Sequence, residues 1–131
     1  VWTLRSTDVG VAFVVEIGGK RLYHAGDLNW WHWEGESEAE NRQMEKDYKR
    51  EIGRLEGLPI DAAFVVLDPR QENAFAVGFD WFMRHTDTRQ VFPMHQWGDY
   101  GITEKLCGME LSAPYRQKIR PIHGPGEKFQ I

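Results

Sequence analysis

The sequence predicts an α/β fold, a mixed sheet with flanking helices, on three observations. The run Val11–Ile17 (VAFVVEI) is β-branched and aromatic and apolar on both faces, as strands inside layered α/β structures are. The stretch from Ser37 to Leu55 carries apolar residues at helical spacing. Two more apolar runs, Ala62–Leu67 and Gln90–Met94, lie on either side of a second helical stretch, so strands and helices alternate. The 131 residues suffice for one domain, and residues 1–131 are read as a single unit.

The elements follow in order. Val1, Trp2 and Leu4 open the chain without Met, almost inside an apolar segment, and the chain reads as a piece of something longer. In Val11–Ile17, Val11, Phe13, Val15 and Ile17 share one face and Ala12 and Val14 the other. Gly18-Gly19 is a two-residue turn signal, and Lys20–Ala25 returns as an antiparallel partner ending at Gly26-Asp27. An aromatic stretch follows, with Trp30, Trp31 and Trp33. Ser37 with Glu40 three residues on forms a capping box. Met44, Tyr48, Ile52 and Leu55 then define one helical face, and Glu38→Arg42 and Glu45→Lys49 pair on the wet side. Gly53 falls inside this helix, where packing must hold the turn; Gly57 and Pro59 stop it.

Ala62–Leu67 is a buried strand ending at Asp68-Pro69, and Gln71–Asn73 is loop. Phe79–His85 is helical, with Phe79, Phe82 and Met83 as its apolar side; Gln90–Met94 is a strand ending at His95. Thr103 caps a short helix through Met109, and Ser112-Ala113-Pro114-Tyr115 starts another with Pro114 in its first turn. Ile119–His123 and Lys128–Ile131 flank Gly124-Pro125-Gly126 as a closing hairpin.

Composition excludes several classes of function. The formal charge is −4, and eight acids against five bases between Glu34 and Glu56 carry most of it. With no basic stripe, a nucleic-acid partner is not expected. No apolar run is long enough to span a membrane, so no membrane partner is expected. Cys107 stands alone and cannot form an internal disulfide; a cytoplasmic setting is the expectation.

Three consecutive central strands end in a polar group: Asp27, Asp68 and His95. Parallel strands would bring these to one edge, where sites in open α/β sheets lie. Two carboxylates and an imidazole there can hold a divalent metal or move protons; equally, Asp27 and Asp68 can cap turns and His95 can be a satisfied histidine. Two readings stand for each neighbour. His24 is a plain strand residue or supports a ligand. Asp68 turns the chain and fixes Arg70, or orients a ligand. Trp30, Trp31 and Trp33 wall a small-molecule pocket or plug a core edge. Asp99 and Tyr100 sit on a rim loop within reach of substrate or serve only the loop. Cys107, in an apolar helix pattern without a basic partner, reads as inert.

The residues Tyr23-His24-Ala25-Gly26-Asp27 after Ser6-Thr7-Asp8-Val9-Gly10-Val11-Ala12-Phe13, then Leu67-Asp68-Pro69-Arg70 and Val91-Phe92-Pro93-Met94-His95, resemble in order and spacing the carboxyl-terminal half of a metallo-β-lactamase-fold metallo-hydrolase of the broad bacterial branch. The resemblance covers essentially the whole chain. It implies half of a four-layer α/β/β/α sandwich and a site holding one or two divalent metals, usually zinc, sometimes iron or manganese, that activates water. It matches Asp27 to the carboxylate that bridges metals and His95 to the last histidine ligand. The family's first-half signature, His-x-His-x-Asp-His, is absent: the five histidines are His24, His32, His85, His95 and His123, none separated by one residue.

The chain is therefore expected to supply Asp27 and His95 to a hydrolase site completed outside it and to be inactive alone. The rival expectation is a non-catalytic module that associates with the missing half or with a second copy, as a dimer, through the apolar sheet face. An aspartate-based phosphoryl-transfer module fits less well, because the hairpin is antiparallel and no glycine loop cradles phosphate.

Overall fold

The computed structural model describes residues 1–131. Strands β1 (Trp2–Arg5), β2 (Val11–Ile17) and β3 (Lys20–His24) lead into helix α1 (Glu38–Gly53). Strand β4 (Pro59–Val66), helix α2 (Val77–His85), strand β5 (Asp87–Met94) and the short helix α3 (Gly101–Cys107) follow. One five-stranded sheet has the order β1-β2-β3-β4-β5. The pairs β1/β2 and β2/β3 are antiparallel; β3/β4 and β4/β5 are parallel. The fold is thus α/β, with a mixed sheet and flanking helices.

The antiparallel half is set by the turn at Gly18-Gly19. Both residues have positive φ (57° and 76°), the two-residue geometry that matches strand twist and that glycine adopts without a Cβ penalty. The parallel half is set by crossovers, α1 between β3 and β4 and α2 between β4 and β5. Helix α1 starts as its capping box dictates: the Ser37 hydroxyl accepts from the Glu40 amide and the Glu40 carboxylate accepts from the Ser37 amide, both at 3.1 Å. Gly53 is the last residue of α1, exposed and with open space where a Cβ would stand, so it closes the helix rather than weakening its interior.

The sheet has two unlike faces. Val14, Tyr23, Ala63 and Val91 lie side by side across β2 to β5 and are all buried. Tyr23 stacks on Phe82 of α2 at 4.9 Å, and the Tyr48 hydroxyl of α1 donates to the Gly78 carbonyl of α2 at 2.9 Å. These helices and the sheet form one core cluster that also takes in Ile102 and Leu106 of α3. On the opposite face the row is Phe13, His24, Phe64 and Phe92. The carboxyl-terminal segment covers only the far end of that row, with Phe129 against Phe92 at 5.1 Å. Phe13 keeps 42% of its surface exposed and Ile17 64%, so β2 is buried on one face only and not on both.

Three local expectations are corrected. The closing hairpin does not form: residues 119–131 contain no strand, and Ile119 makes a single parallel bridge to Val91 at the edge of β5. Pro121 and Pro125 cannot donate to a ladder, and the Arg120 amide is spent on the Val91 carbonyl at 2.9 Å. Thr103 does not cap α3, which begins at Gly101; its buried hydroxyl accepts from the Gln96 side chain at 2.7 Å. Ser112–Tyr115 starts no α-helix, and single 3-10 turns at Glu110–Ser112 and Arg116–Lys118 stand there instead. The Ser112 hydroxyl donates to the Met109 carbonyl at 2.8 Å and so is not free to cap.

Phe82 is fully buried between α2 and the sheet. Phe82→Ala removes its stack on Tyr23 and leaves a cavity, with an expected loss of about 3–5 kcal/mol. The urea midpoint at unchanged slope measures it; a loss below ~1 kcal/mol would show that this layer is not close-packed.

Candidate functional site

The parallel pairing continues past the ends of the strands. The Ala25 amide donates to the Phe64 carbonyl and the Leu67 amide to the Met94 carbonyl, each at 2.9 Å. The next polar residues of β3, β4 and β5 therefore emerge level with one another, at the carboxyl edge of the parallel half. They are Asp27, Asp68 and His95, and the fold brings all three together. Nε2 of His95 lies 3.0 Å from Oδ1 of Asp27. Nδ1 of His95 lies 3.5 Å from Oδ2 of Asp68.

Asp27 owes its position to Gly26. The φ of Gly26 is 57°, and a Cβ there would stand 2.5 Å from the Val11 carbonyl oxygen of the neighbouring strand. The Asp27 carbonyl accepts from the Trp31 indole at 2.9 Å, which holds the following loop against the site. His95 is held in the left-handed region, φ 66°, directly after β5. Trp97 (φ 53°), in the turn after β5, and Glu72 (φ 53°), at a kink inside a 3-10 segment Pro69–Ala74 that stands in place of the loop expected at Gln71–Asn73, are the other two non-glycine residues with positive φ. Strain of this kind persists only where the surroundings impose it.

Asp68 is fully buried, yet its carboxylate is ionised by its partners. Oδ1 accepts from the Arg70 amide at 2.9 Å and from Arg70 Nε at 3.0 Å. Oδ2 accepts from Arg70 Nη2 at 2.7 Å and from the Trp97 indole at 3.1 Å. Burial alone would push its pKa up; the hydrogen bonds from Arg70 and Trp97 and the guanidinium charge outweigh it, and the net shift is downward. The same contact raises the pKa of Arg70. The guanidinium lies 4.5 Å over the Trp97 ring. The turn role expected of Asp68 is thus present, and so is its closeness to His95.

The neighbours separate into two groups. Trp31 and Trp33 stack at 5.6 Å, and Trp31 meets His95 edge-on at 5.8 Å. With Thr7, Asp8, Met44 and Arg70 these two tryptophans line a cleft of about 200 Å³. Trp30 turns away and packs on Trp81 at 6.4 Å, with the Lys49 ammonium 4.8 Å above its ring, so it is no wall of this cleft. Asp99 and Tyr100 stand at the start of α3, and neither shares a hydrogen bond with Asp27, Asp68 or His95. His24 accepts from the Gly26 amide through Nδ1 at 3.0 Å and tilts over Phe64 at 5.6 Å. Burial, and then the neighbouring His95, lower its pKa. Cys107 has its thiol pKa raised by burial, in keeping with an inert side chain.

Trp97 was not legible as part of the site. Its only signal is position, two residues past a strand-end histidine, in a turn whose conformation the local sequence does not reveal. Nowhere do three His, Cys, Asp or Glu side chains converge to hold a metal ion among themselves. No protein-family model, curated protein or solved structure matches the chain.

Because Asp68 titrates lower in the folded chain than in the unfolded one, its contribution to stability is complete above its ordinary pKa of 3.8. That contribution decays as pH falls below this value and through the lower folded one. Asp68→Asn is therefore expected to destabilise the protein near neutrality, by about 1–3 kcal/mol, and to flatten the acid limb of its stability. Denaturant midpoints measured across that limb check both; an equally steep limb in the variant would locate the acid sensitivity elsewhere.

Proposed function

We propose that the chain is the carboxyl-terminal half of a metallo-β-lactamase-like sandwich and contributes Asp27 and His95 as ligands to a divalent metal in a hydrolytic site. The observation that carries this reading is the 3.0 Å approach of the Asp27 carboxylate and the His95 imidazole at the ends of two parallel strands. A carboxylate oxygen and an imidazole nitrogen are suitable donors for zinc, iron or manganese. Asp68 is not assigned as a third donor: Arg70 and Trp97 clamp its carboxylate on the Nδ1 side of His95, whereas it is Nε2 that faces Asp27. This chain thus fits half of a ligand set, and the remainder comes from another segment. When bound, the metal would lower the pKa of its water toward neutrality.

This chain's own part is to position. Gly26 fixes Asp27, the level strand ends fix His95, and the Trp31–Trp33 stack offers an apolar wall to a small-molecule substrate. A second reading, association without catalysis, is favoured by a different observation: Val11, Phe13 and Ile17 leave one apolar sheet face open. In both readings that face meets the missing half or a second copy.

Titration calorimetry of zinc into this chain tests the first reading, with weak binding expected because two protein ligands leave most of the coordination sphere to water. A stoichiometric sub-micromolar site in the monomer would overturn the half-site assignment. In the protein that holds the complete site, Asp27→Ala and His95→Ala are expected to abolish hydrolysis while leaving circular dichroism unchanged. Near-native activity in either variant would remove that residue from the metal.

A further inference from the structure

Nδ1 of His95 is buried without a hydrogen-bond partner, and the atom facing it is Oδ2 of Asp68 at 3.5 Å. A bare imidazole nitrogen opposite a carboxylate oxygen sets two lone pairs against each other at buried atoms, which is repulsive. A proton on Nδ1 turns the same contact into a charge-assisted attraction. Nε2 faces a carboxylate as well, that of Asp27 at 3.0 Å, so a neutral ring cannot serve both.

The two carboxylates differ in freedom. Asp27 is about one-third exposed at its side chain; it can turn to water when the ring offers no proton. Asp68 has no exposed side-chain surface and is held by Arg70 and Trp97, which oppose its turning away from the ring.

We propose that Asp68 is a positioning residue: clamped by Arg70 and Trp97, it holds the proton of neutral His95 on Nδ1 and leaves the Nε2 lone pair pointing toward Asp27, where a divalent cation would be met. The use of that lone pair rests on the metal-ligand reading above; the placement of the proton does not. Ligand histidines are commonly oriented through their second nitrogen in this manner. The left-handed backbone at His95 and Trp97 fits the same purpose, since it brings both side chains onto Asp68 from one short turn.

Long-range proton–nitrogen correlation spectra of the chain with nitrogen-15-labelled histidine, recorded metal-free at one pH above the histidine range, read the tautomer of each ring. The His95 signals are expected to show a protonated Nδ1 and a bare Nε2. Asp68→Asn is expected to move the ratio toward protonated Nε2 by roughly five- to tenfold, the difference between a charge-assisted and a neutral hydrogen bond. Arg70→Gln, at an exposed position, keeps the carboxylate but loosens the clamp, and an intermediate ratio is expected. A wild-type ring protonated mainly at Nε2, or a ratio unmoved in both variants, would overturn the proposal; should Asp68→Asn fail to fold, the wild-type tautomer and Arg70→Gln still decide it. Zinc added to the same wild-type sample addresses the ligand reading separately: an unmoved Nε2 signal counts against His95 as a ligand and leaves the tautomer result standing.

Discussion

The parallel register of β3, β4 and β5 is the constraint on which the rest of the site depends. Two backbone hydrogen bonds beyond the strands, from Ala25 to Phe64 and from Leu67 to Met94, keep the strand ends level. Without them Asp27, Asp68 and His95 would leave the sheet at different heights and their side chains would not meet. The register is itself a packing result: α1 and α2 join successive strands on one face, and their burial against Val14, Tyr23, Ala63 and Val91 fixes how the strands lie.

The loops at this edge are tied to one another by buried polar groups. The Asn29 side chain donates through Nδ2 to Oε1 of Gln71 at 2.7 Å, and Nε2 of Gln71 donates to the Trp30 carbonyl at 3.0 Å, which couples the loop after β3 to the segment after β4. The Thr7 hydroxyl donates to the Asn29 carbonyl at 2.6 Å and draws in the β1–β2 loop. Such groups are costly when unpaired and rigid when satisfied. They give the loops the stiffness to hold three non-glycine residues at positive φ. A site built on strand ends and cross-linked loops is more exact than one on loops alone.

The two faces of the sheet have different consequences. The helix-covered face supplies the core and the stability. The other face carries an aromatic row, from Phe13 through Phe64 to Phe92, that the last residues of the chain cover at one end only. Covering what remains would gain roughly 25 cal/mol for each Å² of apolar surface removed from water. His24, in the middle of that row and next to the site, links the open face to the Asp27 end of β3.

Much of the fold was legible because local rules and tertiary structure agree there. The Gly18-Gly19 hairpin, the Ser37–Glu40 capping box and the alternation of strands with helices each have a short-range cause. The convergence of Asp27, Asp68 and His95 followed from the alternation, since parallel strands deliver their ends to one edge. The closing hairpin failed because the edge of β5 competes for Ile119 and Arg120, and a contact some thirty residues distant in sequence leaves no mark in local pattern. Trp97, the exclusion of Trp30 from the cleft and the exposure of Phe13 were decided by tertiary structure alone. The sequence by itself determined which residues are polar at strand ends and where the chain turns, because backbone propensity and side-chain period are local. Only the packed structure decided that Asp68 is held by Arg70 and Trp97 rather than left free beside His95, because burial, charge and distance exist only once distant segments meet.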